Sequence, residues 1–322
     1  MSRSELEQEF SRVIRLEGLA TVALPELAVG EVLARLRCAL VLPADLADIR
    51  EGRAPGRALV ADVVACGADA PFRLGQRIFP AAHAPCGLCE ACRSGSETNC
   101  LDWKASSLLP GGFADRFIVS AWNARRGSFP LPVDDPPEAQ VFLEPLASIL
   151  RKLSRVRLRK VHRILVCGDG MTANLWGLTL EALHTDARRL LAGLAPDARR
   201  FGFHDVLPEL VPLDEAPDLI VLLQATAGQV VQALDVLAIG GALVVAGGYC
   251  EEVSLDLRRL SREEKVLVWG RESGPQDHRQ ALNLLSKMAG RLPSLIEVKF
   301  SLESWHIRDV EAASDRWILL EP

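Results

Sequence analysis

The sequence predicts an α/β protein in two parts, a β-rich first part and a doubly wound parallel sheet after it. Three features carry this. Short apolar or alternating runs broken by glycine and proline fill residues 1–145. A strand-like run, a glycine turn and a helical pattern then succeed one another over residues 163–183. Further short apolar runs alternate with stretches of helical length beyond them, the signature of a parallel sheet. The 322 residues, 49% of them hydrophobic, are enough for two ordinary domains with their own cores.

In order, the expected strands of the first part are residues 31–38, 57–64 and 113–119. The texture changes near Ala147, where a helix is expected. The strand 163–167 runs into Gly168-Asp169-Gly170, followed by a helix over 172–183. Strands are expected at 189–192, 218–223, 241–246 and 266–269, and helices at 277–289 and near 309–317. No repeat of 20 to 50 residues is present. The basic stretch 151–160 reads as a solvated helix face leading into the next strand rather than an anion patch.

Charge and hydropathy narrow the partners. Thirty-seven Lys+Arg against 42 Asp+Glu give a formal charge of −5, leaving no basic surplus for nucleic acid. No apolar run approaches the ~18 to 20 residues a bilayer crossing requires. The first residues, Met1 to Glu7, are charged where a secretory leader would be apolar, so a cytoplasmic location is expected. Eight cysteines in such a chain point to metal binding or reduced core thiols before disulfides.

Cys86, Cys89, Cys92 and Cys100 form a C-x2-C-x2-C-x7-C array with glycines at 87 and 95. Four thiolates in one short lobe satisfy tetrahedral zinc and leave no coordination position for a substrate or water, so the expected ion is structural, one per chain. Cys38, Cys66, Cys167 and Cys250 lack such spacing and are expected to be buried thiols.

Gly168-Asp169-Gly170-Met171-Thr172-Ala173 matches G-x-G-x-x-A between a strand and a helix, the context of a dinucleotide-binding turn. The first glycine allows the turn, the second admits a diphosphate, and Ala173 keeps the helix near the sheet, with Thr172 in its first turn. Asp169 is awkward beside a diphosphate. The end of the second strand would normally carry an acid for the ribose hydroxyls, but Leu190-Leu191-Ala192-Gly193-Leu194 has none. With Arg199 and Arg200 close behind, the cofactor preference leans to NADP over NAD.

The cysteine array, Glu144-Pro145-Leu146-Ala147, the run 166–170 and the run 240–247 together resemble the medium-chain dehydrogenase/reductase family, the zinc alcohol dehydrogenase and threonine dehydrogenase-like group. The resemblance implies a GroES-like domain over residues 1–146 and 273–322, with the zinc lobe at 86–100. It also implies a Rossmann domain over 147–272, a cleft between the two, and a homodimer or homotetramer. It implies NAD(P)-dependent oxidoreductase chemistry on a small organic carbonyl, alcohol or activated alkene.

The departures concern the catalytic metal. Relatives supply a first ligand from a Cys-Gly-Thr-Asp-type segment, where this chain has Leu42-Pro43-Ala44-Asp45; they then carry Pro-Gly-His-Glu, where it has Pro55-Gly56-Arg57-Ala58. Only Glu144 of that shell remains, and one carboxylate cannot hold zinc against solvent. The expectation is therefore a zinc-free active site in which Arg57 reaches toward Glu144 in place of the metal, and Arg57 or backbone amides supply the electrophile. Arginine stays charged, so a proton donor would have to be Asp45, His83 or water. Two other readings stand beside this one: an inactive or repurposed family member serving as partner subunit, scaffold or ligand binder, and a non-redox lyase or cyclase.

Overall fold

The computed structural model describes residues 10–156, 161–184, 186–247, 252–270, 272–313 and 316–322. The chain divides into two compact units, Met1–Glu144 with Gly274–Pro322, and Pro145–Ser273.

The first unit is built on a seven-stranded sheet. Its order runs Ile296–Ser301, Trp317–Glu321, Val32–Val41, Ala58–Cys66, Arg77–Phe79 and Phe129–Pro130, with Arg116–Val119 also pairing to Val32–Val41. Val32–Val41 is buried along almost its whole length because it has sheet neighbours on both sides; its exposed positions are Arg35 and Arg37. Both guanidiniums turn across to Asp62 on the next strand, Arg37 Nε at 2.7 Å. That cross-strand ion pair fixes register on the wet face while Leu36, Ala39, Leu59 and Ala61 pack inward.

The C-terminal return completes this sheet. Trp317–Glu321 lies antiparallel to Val32–Val41, with Ile318 opposite Val41 and Leu320 opposite Ala39. The expected helix near 309–317 is Ile307–Ala312, and Trp317 opens a strand. A short run as apolar as Trp317-Ile-Leu-Leu320 fits either element on pattern alone; burial on both faces of the sheet decides for the strand. Likewise the strand expected at 113–119 is confined to Arg116–Val119. A separate hairpin, Phe10–Arg15 with Gly18–Ala23, stands beside the sheet and was not legible in advance. Between Val32–Val41 and Ala58–Cys66 the chain forms the helix Pro43–Arg50, which buries two acids, Asp45 and Asp48, alongside Leu46 and Ile49.

The second unit is a six-stranded, wholly parallel sheet in the order Asp205–Leu207, Arg188–Ala192, Arg163–Cys167, Leu219–Leu222, Ala242–Val245, Val266–Trp269. In sequence terms the order is third, second, first, fourth, fifth, sixth, which is the doubly wound pattern with its reversal between Arg163–Cys167 and Leu219–Leu222. Central strands such as Leu219–Leu222 are buried at every position, as a sheet covered on both faces demands. Leu165, Ile220, Leu243 and Val230 share its core. The connection after Arg188–Ala192 is a 3-10 turn, Ala198–Phe201, in place of a full helix. The first crossover helix, Gly170–Leu183, is buried from Ala173 to Leu180, closer to the sheet than an amphipathic surface helix would lie. Among the described residues no helix is long and apolar enough to cross a membrane.

Candidate functional site

The cysteine lobe gathers its four sulfurs. The Sγ atoms of Cys86, Cys89, Cys92 and Cys100 all lie within 4.8 Å of one another, with Cys86 and Cys92 at 3.9 Å and Cys89 and Cys92 at 3.5 Å. A tetrahedron of sulfurs about 2.3 Å from zinc has edges of about 3.8 Å, so the donor set fits that ion. Backbone amides support the sulfurs: Leu88 N and Cys89 N donate to Cys86 Sγ, and Cys86 N to Cys100 Sγ. Burial pushes the Cys92 thiol up to about 12, helped by Cys89. At Cys100 burial acts the same way, but the amides of Cys86, Trp103 and Asp102 outweigh it and bring the thiol to about 7. His83 stacks on Trp103 with ring centroids 4.4 Å apart and Nδ1 2.6 Å from Ser106 O, which ties it to this lobe. Trp122 donates to Ala84 O at 2.9 Å and carries Arg126 over its ring, so it too braces the lobe.

The remaining cysteines divide. Cys38 and Cys167 are buried, and burial lifts each thiol to about 12. Cys66, expected to be buried, is exposed because it ends its strand, with Sγ 3.4 Å from Phe72 O. Cys250 lies outside the described residues.

The positions at which the resemblance led us to expect a catalytic metal are organised by hydrogen bonds and ion pairs. Asp45 is completely buried and accepts the amides of Leu42 and Gly56, each at 2.9 Å. One carboxylate thus ties together the two stretches that carry Leu42 and Arg57. Desolvation raises its pKa to about 6, against the pull of the Arg57 charge and the two amides. This is the geometry of a bracket between loops. Arg57 forms a close ion pair with Asp48, whose other oxygen takes Arg53 at 2.7 Å. Asp48 is 4% exposed and Arg57 17% exposed at the side chain, so that pair is largely dry whereas Arg53, at 55%, faces water.

For Arg57 and Glu144, expected to approach one another, the described contacts are with Asp48 and with His278. Glu144 forms a close hydrogen-bonded pair with His278 Nε2, on a side chain 134 residues away. His278 sits among Phe79 and Phe129, with ring centroids 4.9 Å and 6.1 Å distant. An imidazole thus gives the largely buried Glu144 carboxylate a hydrogen-bond partner. Neither His278 nor Asp48 was singled out from sequence. A signal existed for the first: His278 occupies the apolar stripe of the helix Pro275–Met288, in line with Ala281, Leu284, Leu285 and Met288. Among the described residues, the four cysteines are the one group of three or more Cys, His, Asp or Glu placed to share an ion.

The glycine turn is built as its motif requires. Gly168 adopts φ +149°, and a Cβ there would fall 2.7 Å from that of Leu223. Ala173 is fully buried and Thr172 exposed. Asp169 stands at the N-cap of the helix Gly170–Leu183 but does not cap it. Its Oδ1 accepts the amide of Leu194 at 2.5 Å, while Gly170 N donates to Leu194 O at 2.8 Å. The amides of Met171 and Thr172 consequently meet no acceptor among the described residues. Two open first-turn amides behind a glycine turn, at the reversal of a parallel sheet, are the donor set for a dinucleotide diphosphate, so the residues fit that group. Arg199 and Arg200 are exposed on the turn Ala198–Phe201, with the Arg200 guanidinium over the Phe201 ring.

The β-rich unit thus carries a four-cysteine lobe, and the second unit is a dinucleotide-type parallel sheet. Residues 28–129 match the alcohol dehydrogenase GroES-like domain. An L-threonine 3-dehydrogenase of Chelativorans sp. is 24% identical over 252 residues, covering 70% of this chain and 72% of that protein. A structure from Sinorhizobium meliloti 1021, described as a zinc-binding dehydrogenase bound to NADP, superposes with a TM-score of 0.83 at 20% identity, over 98% of this chain and all of that one. Acetophenone reductase from Geotrichum candidum, in complex with NAD, does so with a TM-score of 0.76 at 18% identity over 99% of each chain. These likenesses support membership of the medium-chain dehydrogenase/reductase family.

Proposed function

We propose that this protein is a medium-chain-type oxidoreductase that works without a catalytic zinc ion, exchanging hydride between a nicotinamide dinucleotide and a small organic carbonyl, alcohol or activated alkene. The observation that carries the nucleotide half is the pair of open amides, Met171 and Thr172, behind Gly168 and Gly170. The metal-free half rests on chemistry. Leu42 and Ala58 offer no ligand, Arg57 has no lone pair to give a metal and pairs with Asp48 through one nitrogen, and Glu144 with His278 makes two donors where zinc needs at least three from the protein.

When bound, the nicotinamide supplies the hydride; the chain's own residues hold and neutralise. Met171 N and Thr172 N, at the positive end of the helix, receive the diphosphate. Arg57 provides a fixed positive charge beside the vacated metal positions, a donor for developing negative charge at a substrate oxygen. Asp45 does not deliver the proton in this account, since both its oxygens are taken by backbone amides. Four thiolates hold the structural zinc and with it the shape of residues 86–100.

Titrating NADH and NADPH against the fluorescence of the six tryptophans tests the reading. A saturable change with at least one nucleotide is expected. Silence with both moves the protein to the repurposed, non-redox members of its family.

A further inference from the structure

The second strand of the parallel sheet, Arg188–Ala192, ends in Gly193 where a ribose-binding acid would stand. That position is not merely short of a side chain; it has no room for one. A Cβ on Gly193 would lie 2.3 Å from Gly168 O and 2.8 Å from Asp169 Oδ1. The space an acid at 193 would need is thus taken by the Gly168 carbonyl and by a carboxylate arriving from the glycine turn.

Resting on the nucleotide reading above, we propose that Asp169 is the ribose-binding carboxylate, transposed from the end of the second strand to the glycine turn, and that it selects NAD(H) over NADP(H). The bond from Leu194 N to Asp169 Oδ1, across 25 residues of sequence, holds the side chain away from the helix amides that the diphosphate needs. The second oxygen, Oδ2, takes no donor among the described residues, and the residue is exposed, so an acceptor remains for a ribose hydroxyl. No cation pairs with Asp169 among the described residues, and a 2'-phosphate would meet its charge uncompensated. This reverses the preference suggested by the missing acid at 193. Arg199 and Arg200 lie on the exposed turn that follows, with Arg200 leaning on Phe201.

Calorimetric titration of the full chain with NADH, NADPH, ADP-ribose and 2'-phospho-ADP-ribose tests this without any turnover. The unphosphorylated member of each pair should bind at least about tenfold tighter, a gap of about 1.4 kcal/mol. In Asp169→Asn, and independently in Asp169→Ser, the gap should close to within about threefold through stronger binding of the phosphorylated member. Equal or tighter binding of the 2'-phosphates by the unmodified protein overturns the proposal, as does an unchanged ratio in both variants. Both of those results leave the nucleotide site standing. Failure of all four ligands to bind overturns the nucleotide reading and this proposal with it.

Discussion

Replacing Asp45 by asparagine should change how stability depends on pH, in a direction that the burial of this residue dictates. Asp45 is fully buried, and desolvation sets its pKa near 6 in the folded protein, against about 3.9 for an aspartate in an unfolded chain. Below about pH 4 the carboxyl is protonated in both states. From about pH 4 to about pH 6 the folded protein keeps a proton that the unfolded chain has released, so each increment of pH costs stability, and above about pH 6 the loss is complete. Two pH units at about 1.4 kcal/mol each put that loss near ~3 kcal/mol. Asparagine has nothing to titrate. It keeps one acceptor oxygen for the amides of Leu42 and Gly56 and so leaves one of them unpaired, a fixed deficit of about 1–3 kcal/mol. Urea unfolding of both proteins from pH 4 to pH 7 isolates the residue, because the thiols and other acids titrate alike in each and cancel in the difference. The stability advantage of the unmodified protein should shrink by about 2–3 kcal/mol as pH rises across that window. An advantage that is constant, or that widens with pH, would show that Asp45 is not held as a desolvated carboxyl.

Three further outcomes follow from the same contacts. Arg57→Leu strands the Asp48 carboxylate, 4% exposed, with only the solvent-facing Arg53; unfolding should become easier by about 2–4 kcal/mol, and a melting temperature unchanged from the parent would refute the buried pair. In that variant the Asp45 carboxyl should titrate higher still, since Arg57 is the strongest of the influences lowering it, and a carboxyl resonance followed by NMR would reveal a shift in the wrong direction. His278→Phe removes the hydrogen-bond partner of Glu144 while keeping the packing against Phe79 and Phe129; stability should fall by about 1–3 kcal/mol at neutral pH, and most of it should return in the double variant that also carries Glu144→Leu. If the double variant is no better than the single, Glu144 depends on something other than that imidazole.

What could be read from sequence was what is local in sequence. The cysteine array spans 15 residues, and its spacing is itself the geometric constraint, so the gathering of Cys86, Cys89, Cys92 and Cys100 into one cluster was legible before any fold was in view. The turn from Cys167 to Ala173 was equally plain, since a strand, two glycines and a helix succeed each other without interruption. Glu144 and His278 are 134 residues apart and meet only because the C-terminal segment returns to the first sheet, so no spacing rule connects them. Asp169 looked misplaced beside a diphosphate because its true neighbour, Leu194, arrives from the end of another strand. The strand Trp317–Glu321 was hidden for a different reason: a run buried on both faces loses the alternation that marks a strand. Arg57 was expected near Glu144; its pairing with Asp48 was not legible, because it depends on a helix that buries its acids.

The proposal that a shaping metal is kept and a reactive one lost is tested most directly by counting zinc. Elemental analysis of the protein as purified, beside Cys100→Ser and Glu144→Gln, should find one zinc per chain in the parent, one in the glutamine variant, and a sharply reduced content in the serine variant. Two zinc ions per chain, one of them lost with Glu144→Gln, would contradict the account.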